Sequence, residues 1–167
     1  MLKKINLKMI LCCVAIVFGF VAAMMLFAPA LKADTLLGEQ TLKGSEIAFG
    51  KKENGTGVLA ASVYMLPLFL ALIGVVLSVL ALLGKGGKIV PIVAAVCFLV
   101  AAVLFFLPKG LITPDLGKLE GDARSKALEN FREGIKNSYD LAAGAIVGGI
   151  FSIIAACAAA TPIFLKK

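Results

Sequence analysis

The sequence predicts an all-α membrane protein, a bundle of four transmembrane helices with both termini in the cytoplasm. Three observations carry this reading. Apolar residues make up 60% of the 167-residue chain and charged residues only 16%, with a mean hydropathy of +1.01. Ordinary globular chains hold about 45–50% apolar residues, glycine included, and a soluble domain of this size could not hide the excess, so lipid is the solvent for much of the surface. The charges leave four stretches empty: Met9–Leu31, Asn54–Gly84, Ile89–Pro108 and Leu141–Leu165, of 23, 31, 20 and 25 residues. Lastly, the charges between these stretches are unevenly distributed.

Each empty stretch is long enough to cross the hydrocarbon, which takes about 20 residues at 1.5 Å per residue. Backbone groups in lipid must bond within their own segment, so each is expected to be a helix. The expected spans are about 9–31, 58–83, 89–107 and 141–165. With the N-terminus inside, the inner segments carry Lys3, Lys4, Lys8, Lys85, Lys88, Lys166 and Lys167 and no acid. The outer loops, 32–57 and 109–140, hold ten basic and ten acidic residues. The formal charge of +7 therefore lies on one face, which is the positive-inside pattern. The basic pI of about 9.4 then records topology and attraction to anionic lipid. A nucleic-acid partner is not expected, because no basic patch is interleaved with aromatics.

Taken in order, the first helix has a rival reading as a cleavable signal peptide, with Lys3, Lys4 and Lys8 ahead of it and Ala28, Ala30 and Ala33 after it. Its apolar run of about 20 residues exceeds the usual 7–15 of a signal core, and the expectation is that it is retained. Bulky Leu11 before Cys12 and Cys13 disfavours a lipoprotein site. The first outer loop alternates weakly from Thr41 to Phe49 and carries Asn54-Gly55, a strong hairpin turn signal, so a short β-hairpin or extended flap is expected. Asn54-Gly55-Thr56 also matches a glycosylation acceptor, although a turn so close to the membrane explains it more simply. In the second outer loop, Thr113-Pro114-Asp115 reads as a helix start with proline in its first turn. Asp122 is placed to cap a second helix reaching about Tyr139. There Leu128, Phe131, Ile135 and Tyr139 form an apolar stripe at helical spacing, and Glu129–Arg132 and Glu133–Lys136 can pair. The stripe either covers the bundle's own outer mouth, lies in the interface, or forms a partner surface.

The membrane chemistry is sparse. The four spans contain no Asp, Glu, Lys, Arg or His, and the chain has no histidine at all. Buried ionisable groups are the usual marks of proton or ion coupling. Cys12, Cys13, Cys97 and Cys157 all fall within spans, so no disulfide-stapled outer domain is expected. Acylation of Cys12 or Cys13 is a minor alternative to a packing role. Nucleotide-binding, nucleophile-elbow and zinc-protease motifs do not occur; neither an enzyme nor a cofactor is expected. One membrane feature is specific: Gly144, Gly148, Ser152, Ala156 and Ala160 recur every fourth residue on the last helix. Such a ladder lets another backbone approach closely, either within the bundle or in a homo-oligomer or membrane-protein partner. Pro67, Pro91 and Pro162 are candidates for helix bends.

The order of inner tail, helix, outer loop, helix, tight turn, helix, outer loop, helix and inner tail is similar to the tetraspan plan of claudin-like proteins. The loop tryptophans and paired loop cysteines of claudins are missing, so that resemblance implies topology and not barrier function. The lysine-rich inner segments and Gly44-Ser45-Glu46-Ile47-Ala48-Phe49-Gly50 resemble more closely the small four-helix membrane proteins of low-GC Gram-positive bacteria, a likeness that implies no site residues. The expected function is non-enzymatic: a scaffold, accessory subunit or envelope-interaction component in the cell membrane. The alternative is a small oligomeric transporter or channel component.

Overall fold

The computed structural model describes residues 7–35, 38–53, 56–59, 62–114 and 121–164. The terminal lysines Lys3, Lys4, Lys166 and Lys167, the Asn54-Gly55 turn with its acceptor motif, and Asp115 lie outside the described residues. The fold is mostly helical. Its frame is helices α1 (Leu7–Met24), α3 (Leu66–Leu82), α4 (Ile89–Phe105) and α7 (Ala143–Phe164). Three segments, Leu7–Phe27, Val63–Leu82 and Ala143–Ile163, are long and apolar enough to cross a membrane; α4 is a shorter apolar helix of 17 residues. The helices form a ring in which α1 touches α3 and α7, and α4 touches the same two. Each chain reversal makes neighbours antiparallel, with one end of the bundle carrying a tight turn and the other the two long loops.

Local chemistry sets where the helices stop. After α1, a 3₁₀ turn over Met25–Phe27 ends at Ala28, which is extended at φ −83° and ψ 163°. Pro29 follows, and its ring disfavours the helical region for the residue before it. The first apolar stretch therefore leaves the helix before Leu31, and Pro29–Thr35 is strand β1. The second helix also begins later than its apolar run: Thr56–Leu59 is strand β4 and Ser62–Met65 a 3₁₀ turn. Pro67 lies in the first turn of α3, where its missing N–H is no loss, so it starts the helix and does not bend it. At the other end Gly84 stands at φ 71°. The Lys85 N–H donates to Leu80 O at 3.0 Å and the Gly84 N–H to Ala81 O at 3.1 Å. This is the left-handed glycine cap that satisfies the last carbonyls of a helix. Gly86 and Gly87 are left-handed too, at φ 86° and 61°, and they let the chain return into α4 within a few residues.

The loop end holds more β-structure than one hairpin. Strand β2 (Gly38–Lys43) pairs with β1, which also pairs with β6 (Asp140–Leu141); β3 (Lys51–Glu53) pairs with β4, which pairs with β5 (Thr113–Pro114). All four pairings are antiparallel. The first loop thus supplies two hairpins and the second loop one strand to each. Strands β1 and β6 extend the neighbouring helices α1 and α7. In the same way, β4 leads into α3, and β5 follows α4 through the short helix α5 (Pro108–Leu111). Each sheet therefore continues one antiparallel helix pair beyond the apolar zone.

Two sequence expectations fail here. The alternation from Thr41 to Phe49 ends at Lys43, and Gly44–Phe49 is a short helix, α2. The Lys43 backbone N–H donates to Glu46 Oε2 at 2.9 Å, a capping contact that favours helix over strand. Thr113-Pro114 is strand β5 and does not start a helix, because its backbone is taken up by pairing with Leu59 and Val58. The helix-starting proline is Pro108 instead. The amphipathic helix α6 runs over Gly121–Ser138 with Asp122 in its first turn, where a carboxylate complements the helix dipole.

Candidate functional site

Two regions were marked by the sequence, the small-residue ladder on α7 and the apolar stripe on α6. The ladder is packed inside the chain. A Cβ at Gly144 would stand 2.5 Å from the carbonyl oxygen of Pro29, and one at Gly148 would stand 2.9 Å from the Phe105 ring and 3.1 Å from Met25 Cβ. Ser152 and Ala156 are buried, while Ala160 is only half-buried beside the buried Ala159. The every-fourth pattern drifts about 40° per step around a 3.6-residue helix. By Ala160 it has reached the margin of the packed face, where Ala160 still packs against the cluster that holds the buried Ala155 and Ala159. A single crossing helix does not account for the ladder. It is shared by the segment that follows α1, through Met25 of the 3₁₀ turn, Ala28 and Pro29, and by α4, through Phe105. Phe18 and Phe151 add an edge-to-face contact at 5.1 Å between α1 and α7.

Phe98 is the packing residue that sequence reasoning missed. It comes from α4 and is fully buried. Cβ atoms at Gly19 on α1 and Gly74 on α3 would come within 2.5 and 2.7 Å of its ring. The ring of Phe98 therefore sits in a notch made by two glycines on two other helices. The available signal was a lone glycine midway along each of two apolar helices, with a phenylalanine midway along a third. Around it Ala15, Ala94, Ala95, Ala155, Ala156, Ala158 and Ala159 form one apolar cluster. Alanine permits this close approach, and in lipid tight packing is the main source of helix association.

The α6 stripe is also used within the chain. Ile135 is buried in a second cluster with Leu26, Leu31, Ile47, Tyr64 and Ile112, and Phe131 and Tyr139 pack against that cluster. Leu128, one turn earlier, is half-buried. The face sketched as a partner surface is thus spent largely on closing the loop end of the bundle. Lys109 lies at the end of α6: its ammonium donates to Lys136 O at 3.4 Å and stands 3.9 Å from Asp140 Oδ1. A cation at the last carbonyls of α6 complements the helix dipole.

The polar groups of the apolar helices divide into two kinds. Ser78 Oγ donates to Gly74 O at 2.8 Å and Thr161 Oγ1 to Cys157 O at 2.7 Å, the backward bonding expected of hydroxyls in helices. Ser152 Oγ and Tyr64 Oη are buried and make no hydrogen bond. The four cysteines are free thiols; Cys12 is buried, Cys97 half-buried, and Cys13 and Cys157 face outward. Among the described residues no group of three or more His, Cys, Asp or Glu side chains is placed to hold a metal ion. Compared with known proteins, the chain matches no protein-family model, no curated protein and no solved structure.

Proposed function

We propose that this chain is a multi-pass protein of the cell membrane that works by interaction, as a scaffold, accessory subunit or envelope component, and not by catalysis. In this reading all four apolar helices span the bilayer. Helix α4, at 17 residues, meets the lower limit for a span. Both termini and the Gly84–Lys88 turn face the cytoplasm, and the two sheets and α6 form an outer cap. The observation that supports the reading is how the interior is filled: Phe98 sits between Gly19 and Gly74, Phe105 against Gly148, and Ile135 is buried on the inner side of the cap. In this reading a single copy, with these side chains filling its centre, makes a poor aqueous pathway. What it presents to the outside is the polar face of α6, where Asp122, Lys126, Glu129, Arg132 and Glu133 are exposed. Purification of the native protein in mild detergent should bring down a stoichiometric partner, identified by mass spectrometry. A protein that purifies without a partner and conducts ions in proteoliposomes would replace this reading with the oligomeric channel.

The orientation has its own test. In a background without the native cysteines, Ser125→Cys should react with an impermeant thiol reagent from outside, and Lys85→Cys should not. Lys85 is a better probe than its neighbour Gly86, whose added Cβ would collide with Val90. External labelling at position 85 would overturn the orientation.

Transport coupling is the next expectation. The purified protein should show no uptake driven by a proton gradient in liposomes, since no charge-free stretch holds a carboxylate or imidazole to carry the proton. Gradient-dependent uptake by the chain alone would refute it.

A further inference from the structure

We propose that the turn end of the bundle is a docking surface for anionic phospholipid, built around Lys8, Lys85 and Lys88. The inference rests on the orientation argued above, and goes beyond it in naming a ligand class and its residues. Lys85 and Lys88 are exposed and belong to the turn that the left-handed Gly84, Gly86 and Gly87 keep short. They are therefore held at the end of the bundle and not carried away on a flexible loop. Lys8 is half-buried in the first turn of α1, and α1 packs beside α3, whose last turn leads into the same connection. The three ammonium groups thus share one end of the molecule.

Among the described residues no acidic side chain neutralises them. The first acid in the chain is Asp34, none lies between Glu53 and Asp115, and none follows Asp140. The Asp34, Glu53 and Asp140 backbones belong to strands β1, β3 and β6 of the opposite end, about 25 Å away for a 17-residue helix at 1.5 Å per residue. That distance is about three Debye lengths at physiological salt, where the screening length is about 8 Å. Four more lysines, Lys3, Lys4, Lys166 and Lys167, flank the same ends of α1 and α7 in the sequence. The counter-charge must come from outside the protein, and in the plane of the bilayer the available anion is the phosphate of a lipid headgroup. A lysine near an anionic surface strengthens attachment about fivefold, so loss of two should weaken it by roughly an order of magnitude or more.

The test uses the full chain in mild detergent with equimolar phosphatidylglycerol and phosphatidylcholine, and reads bound lipid by native mass spectrometry. Phosphatidylglycerol should be retained in clear excess, and the excess should collapse in Lys85→Gln/Lys88→Gln and at high salt. The outer-face variant Lys126→Gln/Lys136→Gln should keep it. Equal retention of the two lipids, equal loss in the inner and outer variants, or full displacement by inorganic phosphate at the lipid's concentration would each overturn the proposal. Labelling at Lys85→Cys separates the two failures: label from outside removes the orientation itself, whereas protection with equal retention removes only the lipid site.

Discussion

Gly148→Leu is expected to lower the thermal stability of the protein in detergent by several degrees, while Ile146→Leu leaves it nearly unchanged. Even a single Cβ at position 148 would lie 2.9 Å from two carbons of the Phe105 ring and 3.1 Å from Met25 Cβ. Leucine adds three further carbons in the same direction. Phe105 is itself fully buried. Inserting carbon into a packed site of this kind costs roughly 1–3 kcal/mol, and two neighbouring helices must separate to admit it, so the upper part of that range is expected. Ile146 is exposed on the outer surface of α7, and exchanging one four-carbon side chain for another in lipid changes little. Gly148→Ala should fall between the two. Identical melting of Gly148→Leu and Ile146→Leu would show that the ladder carries no packing role.

The second large effect is expected at Phe98. Phe98→Ala empties the notch between Gly19 and Gly74. Most large-to-small core changes in soluble proteins lose both a transfer term and a cavity term. In lipid the transfer term shrinks, because the separated helices are already in an apolar medium. The cavity term remains: at ~24 cal/mol per Å³, emptying roughly 100 Å³ costs about 2 kcal/mol. The double variant makes the test specific. At Gly74 the three nearest atoms to an added Cβ all belong to the Phe98 ring, at 2.7 to 3.0 Å. Gly74→Ala alone should therefore destabilise by overpacking, whereas in the Phe98→Ala background the same methyl enters the vacated space. The two changes should be non-additive by about 0.5–3 kcal/mol, the range found for residues in contact, with the double variant more stable than the sum. Additivity within experimental error would mean that the ring does not occupy the notch.

These two sites differ in how they can be read. The α7 ladder is visible in the sequence because five small residues at a fixed spacing lie on one helix. Which helices occupy it is not visible, since nothing local distinguishes Phe105 or Met25 from other apolar residues. The Phe98 notch is assembled from three helices, and sequence periodicity does not extend from one helix to another. The loop end follows the same logic. Asn54-Gly55 announces a two-residue connection, and β3 and β4 pair as Glu53 with Thr56 on either side of it. The first hairpin, β1 with β2, has no such announcement. Its register is interrupted between Pro29 and Leu31, and that irregularity leaves the successive residues Ala30 and Leu31 both buried, which masks the period of two on which strand recognition depends.

The sequence by itself determined the apolar character, the positions of four charge-free segments, the one-sided lysines and the amphipathic face of α6, because each is a property of one segment against its solvent. The tertiary structure decided how the two hairpins are extended into sheets, since Leu31 reaches Leu141 and Val58 reaches Pro114 only when α1 meets α7 and α3 meets α4. It also decided that the α6 stripe closes the chain's own bundle. An apolar face requires a cover, but its sequence holds no information about which surface supplies that cover. Here Ile135 meets Leu31 and Ile112, residues distant in sequence that come together only once the four helices have packed.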